Sequence, residues 1–328
     1  MLIDTHCHLN FKDFKEDADE VIKRTLAAEM QLINIGSQYS TSRRAVEYAE
    51  KYNKDGQGGV WAAVGIHPVH LFNSGGSGDK DFPKKVNLEV FDYNKYLELA
   101  KNDKVVAIGE VGLDYHHFMP ANLRINYEST NIANESSFKK GNRIYDANGA
   151  SENLSFIKYK KEVGEIIKLQ KNVFRQFIEL ANEVDKPVVI HGWNADKKDR
   201  ELVEGAVAYE DILEIIKNNP VKKKGVVHSF IGNYKMALRF IEEGFVIGLN
   251  GIITYSESYD KLIKEIGLEN IIIETDAPYL TPAPLERYSR NEPMNVKLVA
   301  QKIADVLGTD ITEVEKVTTK NAKQLFKI

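Results

Sequence analysis

The chemistry of this chain starts at Asp4-Thr5-His6-Cys7-His8, where two imidazoles stand two residues apart after the apolar pair Leu2-Ile3. In an extended strand residues i and i+2 share a face, so Asp4, His6 and His8 are expected to project together. A lone buried histidine is usually a satisfied core residue. Two side by side need separate partners, which favours a metal ion. Later apolar runs end in residues of the same kind: Glu110 after Val105–Gly109, His191 after Pro187–Ile190, His228 after Val226-Val227, and Asp276 soon after Ile271–Ile273. Each alone has a blander reading, a loop charge for Glu110 or a helix cap for Asp276. Taken together, four imidazoles and two carboxylates suit Zn²⁺, Mn²⁺ or Fe²⁺ better than an all-oxygen Mg²⁺ site. Six ligands exceed one tetrahedral ion. They match two ions about 3.5–4 Å apart bridged by a carboxylate, a layout that activates water and clamps a phosphoryl or carbonyl oxygen.

The elements that must hold these residues follow from hydrophobic period. The start of 2–9 and short apolar runs at 31–35, 59–66, 105–109, 187–190, 226–227, 245–247 and 271–273 read as strands covered on both faces. Amphipathic helices are expected at 15–29, 41–53, 92–102, 154–185, 233–243, 295–307 and 312–326. Eight strands alternating with helices predict an α/β fold, a (β/α)₈ TIM barrel or else an open doubly wound sheet. The polar residues fall at strand C-termini, where barrel enzymes keep their chemistry, so the barrel is preferred. The expected organisation is a single domain over 1–328 with insertions at about 72–88, 117–170 and 194–207. Residues 73–81 are Gly/Ser/Asp-rich and read as a loop; 117–153, with seven asparagines, read as an irregular flap before a long helix.

Composition narrows the setting. The 328 residues carry 44 Lys and Arg against 48 Asp and Glu, a net charge of −4, so no overall basicity advertises nucleic acid. An anionic substrate must then be held by a local patch or by metal ions. The single cysteine, Cys7, excludes an intrachain disulfide and fits a reducing compartment. The N-terminus lacks a signal-peptide pattern, and no segment approaches the ~20 apolar residues of a membrane span. A cytoplasmic protein with no membrane association and no obligate protein partner is expected.

At this point the motifs become specific. Asp4-Thr5-His6-Cys7-His8-Leu9, Gly65-Ile66-His67-Pro68, Gly109-Glu110-Val111-Gly112-Leu113-Asp114-Tyr115, Pro187–His191, His228-Ser229-Phe230 and Glu274-Thr275-Asp276-Ala277-Pro278-Tyr279-Leu280 resemble the signatures of the TatD family. So do Arg290-Asn291-Glu292-Pro293 and the closing Asn321–Phe326. These are metal-dependent deoxyribonucleases of the amidohydrolase superfamily, and the likeness spans the chain apart from the insertions. It implies that His6, His8 and Asp276 hold one ion and that Glu110 bridges to a second held by His191 and His228. The implied cofactors are two divalent ions per chain (Zn²⁺, Mn²⁺ or Mg²⁺). The implied substrate is DNA, cut at phosphodiester bonds and in several relatives trimmed from 3′ ends, with Asp276 as general base and Glu110 as the other catalytic carboxylate.

Three residues are expected at the substrate. His67 either contacts its phosphate or is structural beside Pro68. Arg290 either grips phosphate or pairs with Glu292. Trp193 stands where many relatives carry an arginine, two residues after His191: either it stacks on a base or the substrate is less anionic than DNA. Asp4 either orients a ligand imidazole or caps a turn; Cys7 is expected to pack, and His116 and His117 are not assigned to metal. The same ligand set also fits an aminoacyl-tRNA deacylase, a lactonase or an amidase, and a non-catalytic nucleic-acid- or protein-binding relative is a second alternative.

Overall fold

The structure, a computed structural model, describes residues 1–53, 58–72, 87–117, 143–145, 151–196 and 207–328. The expected loop at 73–81 lies outside these residues, as do most of the expected flap and residues 197–206 of the charged 194–207 excursion.

The strands are β1 (Leu2–Cys7), β2 (Met30–Ile35), β3 (Val60–Val64), β4 (Val105–Asp114), β5 (Arg143–Tyr145), β6 (Ser151–Asn153), β7 (Val188–Trp193), β8 (Gly225–Val227), β9 (Val246–Leu249) and β10 (Ile271–Ile273). The helices are α1 (Ala18–Ala27), α2 (Tyr39–Tyr52), α3 (Tyr93–Ala100), α4 (Leu154–Glu183), α5 (Ala208–Asn218), α6 (Tyr234–Glu242), α7 (Asp260–Ile266), α8 (Val296–Leu307) and α9 (Ile311–Phe326). Eight strands form one sheet in the order β1-β2-β3-β4-β7-β8-β9-β10, every pair parallel, while β5 and β6 make a separate antiparallel hairpin.

The two edges of the large sheet meet. Cys7 bridges Ala277 in parallel, the His8 N–H donates to the Ala277 carbonyl at 2.7 Å, and the Asp276 N–H donates to the His6 carbonyl at 2.8 Å. Thr5 Oγ1 adds a bond to the Ile273 carbonyl at 3.0 Å. The open-sheet alternative is thereby set aside; the molecule is a nearly closed (β/α)₈ barrel.

Its interior and its wall are distinct layers. Ile3, Ile33, Ile35, Ala63, Val106, Ala107, Val189, Val226 and Ile272, with Val246 against them, fill the interior from every strand of the sheet. Ala322 and Phe326 of α9 join that cluster, and Thr319 on the same helix bonds the Met1 carbonyl. The C-terminal helix therefore closes the end of the barrel where strands begin. A larger cluster, including Phe14, Tyr96, Phe174, Phe177, Tyr209 and Phe240, lies between strands and helices. This two-sided covering is why the strands read as continuous apolar runs.

Three expectations need adjusting. Helix α4 runs unbroken from Leu154 to Glu183, and Val163 is already buried in the wall, so the barrel resumes before residue 170. Helices α5 and α7 were not singled out from sequence: α7 spans only seven residues, too short for a clear period, whereas the spacing of Ile212, Leu213, Ile215 and Ile216 in α5 was available. Strand β4 does not stop at Gly109 but continues to Asp114 through a register shift between Ile108 and Val111.

Gly112 follows directly after that irregularity. It sits at φ 147°, and a Cβ there would lie 2.1 Å from the His191 carbonyl oxygen, across the β4–β7 pairing. Gly112→Ala is expected to destabilise the fold by about 2–4 kcal/mol, since backbone rather than a flexible side chain must give way. Chemical denaturation read by far-UV circular dichroism checks this; an unchanged midpoint would contradict it.

Candidate metal centre

At the mouth formed by the strand ends, each chemical side chain is delivered by a different element. β1 leads into His6 and His8, whose ring centroids are 4.8 Å apart. The register shifts between Asp4 and Cys7, and Asp4 accordingly turns away from the two imidazoles into the barrel seam. There its carboxylate accepts from Thr275 Oγ1 at 2.6 Å, the Thr275 N–H at 2.9 Å and the His6 N–H at 3.2 Å. It ties β1 to the segment carrying Asp276. Glu110 occupies the β4 irregularity, where a displaced residue re-aims its side chain. His191 lies within β7, and His228 directly follows β8.

Asp276 follows β10 at φ 59°, a left-handed conformation that aspartate tolerates better than most side chains. Its N–H bond to His6 and the bond from the Tyr279 N–H to its carbonyl hold it there.

Glu110 is the centre of the constellation and divides its two oxygens. Oε1 lies 2.6 Å from His228 Nε2 and 2.9 Å from His191 Nδ1. Oε2 faces the other pair, 3.6 Å from His6 Nε2 and 3.9 Å from His8 Nε2. Asp276 Oδ1 completes the His6–His8 side at 3.6 and 3.2 Å. Ligand atoms of His6, His228 and Asp276, of His6, His8 and Glu110, and of His67, Glu110 and His191 each fall within 4.8 Å of one another. All six residues expected to ligate metal thus lie around one point.

The hydrogen bonds behind the ligands decide whether a cation fits. His8 Nδ1 faces the Ile35 carbonyl at 2.9 Å, an acceptor only, so the ring proton belongs on Nδ1. Its Nε2 lone pair then points at Asp276 Oδ1 and at His6 Nε2, 3.1 Å away. Asp114 Oδ2, 3.1 Å from His191 Nε2, turns the His191 Nδ1 lone pair toward Glu110 in the same way. Glu274 Oε1 lies 3.6 Å from His228 Nδ1, too far for a hydrogen bond but placing negative charge behind that ring. Lone pairs facing lone pairs and carboxylates demand positive charge between them, and outer partners that fix the tautomer are what metal-binding imidazoles use. The donor set fits divalent metal.

Electrostatics agree. Burial pushes Glu110 upward, but His67, His228 and His191 outweigh it and hold the carboxyl well below its usual range. Burial likewise raises Asp276, yet His8 and His6 bring it down. Both carboxylates are therefore ionised at neutral pH. His67 is driven the other way, well below the ordinary imidazole value, chiefly by burial, and so is neutral.

A cavity of about 480 Å³ opens over this cluster, lined by His8, Glu110, His191, His228 and Asp276 and by His67 and Trp193. That is within the range of small-ligand sites, ~300–1,000 Å³. His67 Nε2 is 3.2 Å from His191 Nδ1 and its Nδ1 accepts from the Val69 N–H. Trp193 stacks one face on His116, centroids 4.6 Å apart, leaving its contribution to the cavity wall.

Arg290 is a correction. Its guanidinium is held by Asp17 at 2.6 and 2.8 Å and by Glu292 at 3.2 Å, and it does not line the cavity. Arg287 lines it instead. Cys7 is buried with its thiol on the Ile33 carbonyl.

Two further residues were overlooked, although both stand inside the quoted motifs. Asp114 is fully buried; besides His191 it takes the N–H groups of His116 and His117 and faces His117 Nδ1 at 2.7 Å. Glu274 supports His228 and also accepts the Ser229 N–H at 2.5 Å. Position after an apolar strand, the clue used for the ligands, does not separate a ligand from the residue that orients one.

Known proteins agree with this architecture. A family profile described as TatD related DNase matches residues 3–327. A Bacillus subtilis protein named as an uncharacterized metal-dependent hydrolase, YabD, is 31% identical over the full length of both chains. A human protein named deoxyribonuclease TATDN3 is 28% identical, over 99% of this chain and 94% of that one. Among solved structures, Escherichia coli YjjV, described as a TatD homologue, superposes with a TM-score of 0.67 at 21% identity, covering 100% of this chain and 98% of that one. With the barrel, the six converging imidazole and carboxylate side chains and a match over nearly its entire length, the chain belongs to the TatD-related DNase family of metal-dependent hydrolases.

Proposed function

We propose that this chain hydrolyses DNA phosphodiester bonds at strand ends, using two divalent ions. One observation carries the reading: the two oxygens of Glu110 face two separate ligand pairs, His191 with His228 and His6 with His8. His6, His8 and Asp276 would hold one ion, His191 and His228 the other, with Glu110 between them. Bound ions of this kind acidify water and neutralise charge on a phosphoryl group. DNA as the substrate is supported by the human relative's name.

The protein's own residues do the rest. Asp276, ionised at neutral pH, is 15% exposed at its side chain and faces the cavity, so it accepts the proton of the attacking water. The Ile35 carbonyl and Asp114 hold His8 and His191 with their lone pairs inward, and the Glu274 carboxylate sits behind His228. Neutral His67 offers a polar edge to a substrate oxygen without competing for the negative charge of Glu110. The cavity admits a strand end, in keeping with enzymes that act on single-stranded or extruded nucleotides. Among the described residues no helix is long and apolar enough to cross a membrane, and one buried free cysteine suits a reducing, cytoplasmic setting.

The test is incubation of single-stranded DNA with protein supplied separately with Mg²⁺, Mn²⁺ and Zn²⁺. Degradation that stops on chelation and returns on adding metal is expected. Intact DNA in all three cases sinks the proposal.

A further inference from the structure

The metal cavity is electrostatically one-sided. Apart from imidazoles, its charged lining consists of Glu110, Asp276 and one cation: among the described residues, Arg287 is the only arginine or lysine that lines it. Arg290 and Arg24 nearby are already engaged by Asp17 and Glu292. No carboxylate pairs with Arg287 among the described residues; aromatic rings hold it instead. Its guanidinium carbon lies 4.8 Å from the Tyr255 ring centroid and 5.3 Å from that of Tyr288. Such contacts orient a guanidinium while leaving its N–H edges available for an anion.

The loop bearing this arginine is braced. Thr281 Oγ1 donates to the Ser289 carbonyl at 2.5 Å, Tyr255 Oη to the Thr281 carbonyl at 2.6 Å, and the Ala283 N–H to Thr254 Oγ1 at 2.8 Å. Asn291 Nδ2 joins the loop to the Asp276 segment through the Thr275 and Tyr279 carbonyls at 3.1 and 2.8 Å. Within it Tyr288 takes φ 74°, a conformation bulky residues rarely adopt, and the residue is 55% exposed while still lining the cavity. Strain kept at a cavity lip is the kind of outlier that accompanies ligand clamps.

We infer that Arg287, held by Tyr255 and Tyr288, is an anion clamp for a phosphate neighbouring the one that reacts, with Tyr288 as the stacking surface for the adjoining base. This rests on the nuclease reading and specifies its substrate as a single strand of at least two phosphates rather than an isolated phosphodiester. A stacked base and one fixed cation bind single strands without sequence readout. In a chain of net charge −4, that cation also has to supply the salt dependence of binding that the metal ions do not.

The test measures binding and turnover separately. A fluorescein-labelled pentathymidylate with phosphorothioate linkages is titrated into metal-loaded wild type, Arg287→Ala, Arg287→Lys and Tyr288→Ala at several salt concentrations. Arg287→Ala is expected to weaken binding about ten- to a hundredfold. It should also flatten the log–log salt dependence by about 0.7, the value for one phosphate contact on a single strand. Arg287→Lys should keep the salt slope but lose part of the affinity, and it serves as the probe if the alanine variant misfolds. Tyr288→Ala should weaken binding without changing that slope.

In turnover, Arg287→Ala should lower kcat/KM far more for the unmodified oligonucleotide than for bis(p-nitrophenyl) phosphate, which has no second phosphate. An unaltered salt slope, or equal losses on both substrates, overturns the clamp. Should wild type cleave neither substrate, the nuclease reading falls while the salt slope still decides the clamp: an Arg287-dependent slope upholds it and its absence refutes it.

Discussion

Replacing Asp276 with asparagine should leave a folded barrel with its hydrolytic rate lowered about a thousandfold or more, near the top of the ~10²–10⁴ range for a lost general base. The substitution is chosen for its backbone. Asp276 sits at φ 59°, and asparagine is the other side chain that accepts this conformation readily. The N–H bond to His6 and the Tyr279 bond do not involve the side chain, so the seam should survive. What is lost is negative charge: an amide cannot take a proton from water, and its oxygen is a poorer partner for a divalent ion beside His6 and His8. Steady-state turnover with saturating metal, alongside a thermal melt, checks this. A variant within tenfold of wild type would remove Asp276 from the reaction.

The second large effect is expected at Glu110. Glu110→Gln keeps the volume and can still hydrogen-bond His228, but it offers one oxygen where the carboxylate offered two. Since Oε1 and Oε2 serve different histidine pairs, the variant should hold at most one ion per chain. Losing one ion removes several kcal/mol of charge stabilisation, so turnover should fall by about three orders of magnitude or more. Metal analysis after dialysis gives the decisive number. Two ions retained with near-normal affinity would mean that Glu110 does not bridge.

Both predictions depend on how the histidines are held, and this could not be taken from spacing. His6 and His8 are paired in the sequence, but Asp4 belongs to the seam because β1 shifts register after it. An ideal alternation of faces has no means of showing a bulge. For the same reason Glu110 was expected just beyond a strand and lies within one, aimed by the irregularity just before Gly112. Arg290 and Arg287 are three residues apart on one loop and chemically alike. Only the positions of Asp17 and Glu292 decide that the first is neutralised and the second faces the cavity.

The sequence by itself determined the alternation of strand and helix, because strands covered on both sides must be apolar throughout. It also marked out the six side chains that converge at the mouth, because polar side chains closing buried strands are costly without a partner. The tertiary structure decided which residues stand behind the ligands, which arginine reaches the cavity, and how Glu110 divides between two pairs. Those outcomes depend on distances between chain segments more than 260 residues apart, such as His8 and Asp276, 268 residues apart, and Asp17 and Arg290, 273 apart. Local period and residue type carry no information about such distances; closure of the barrel sets them.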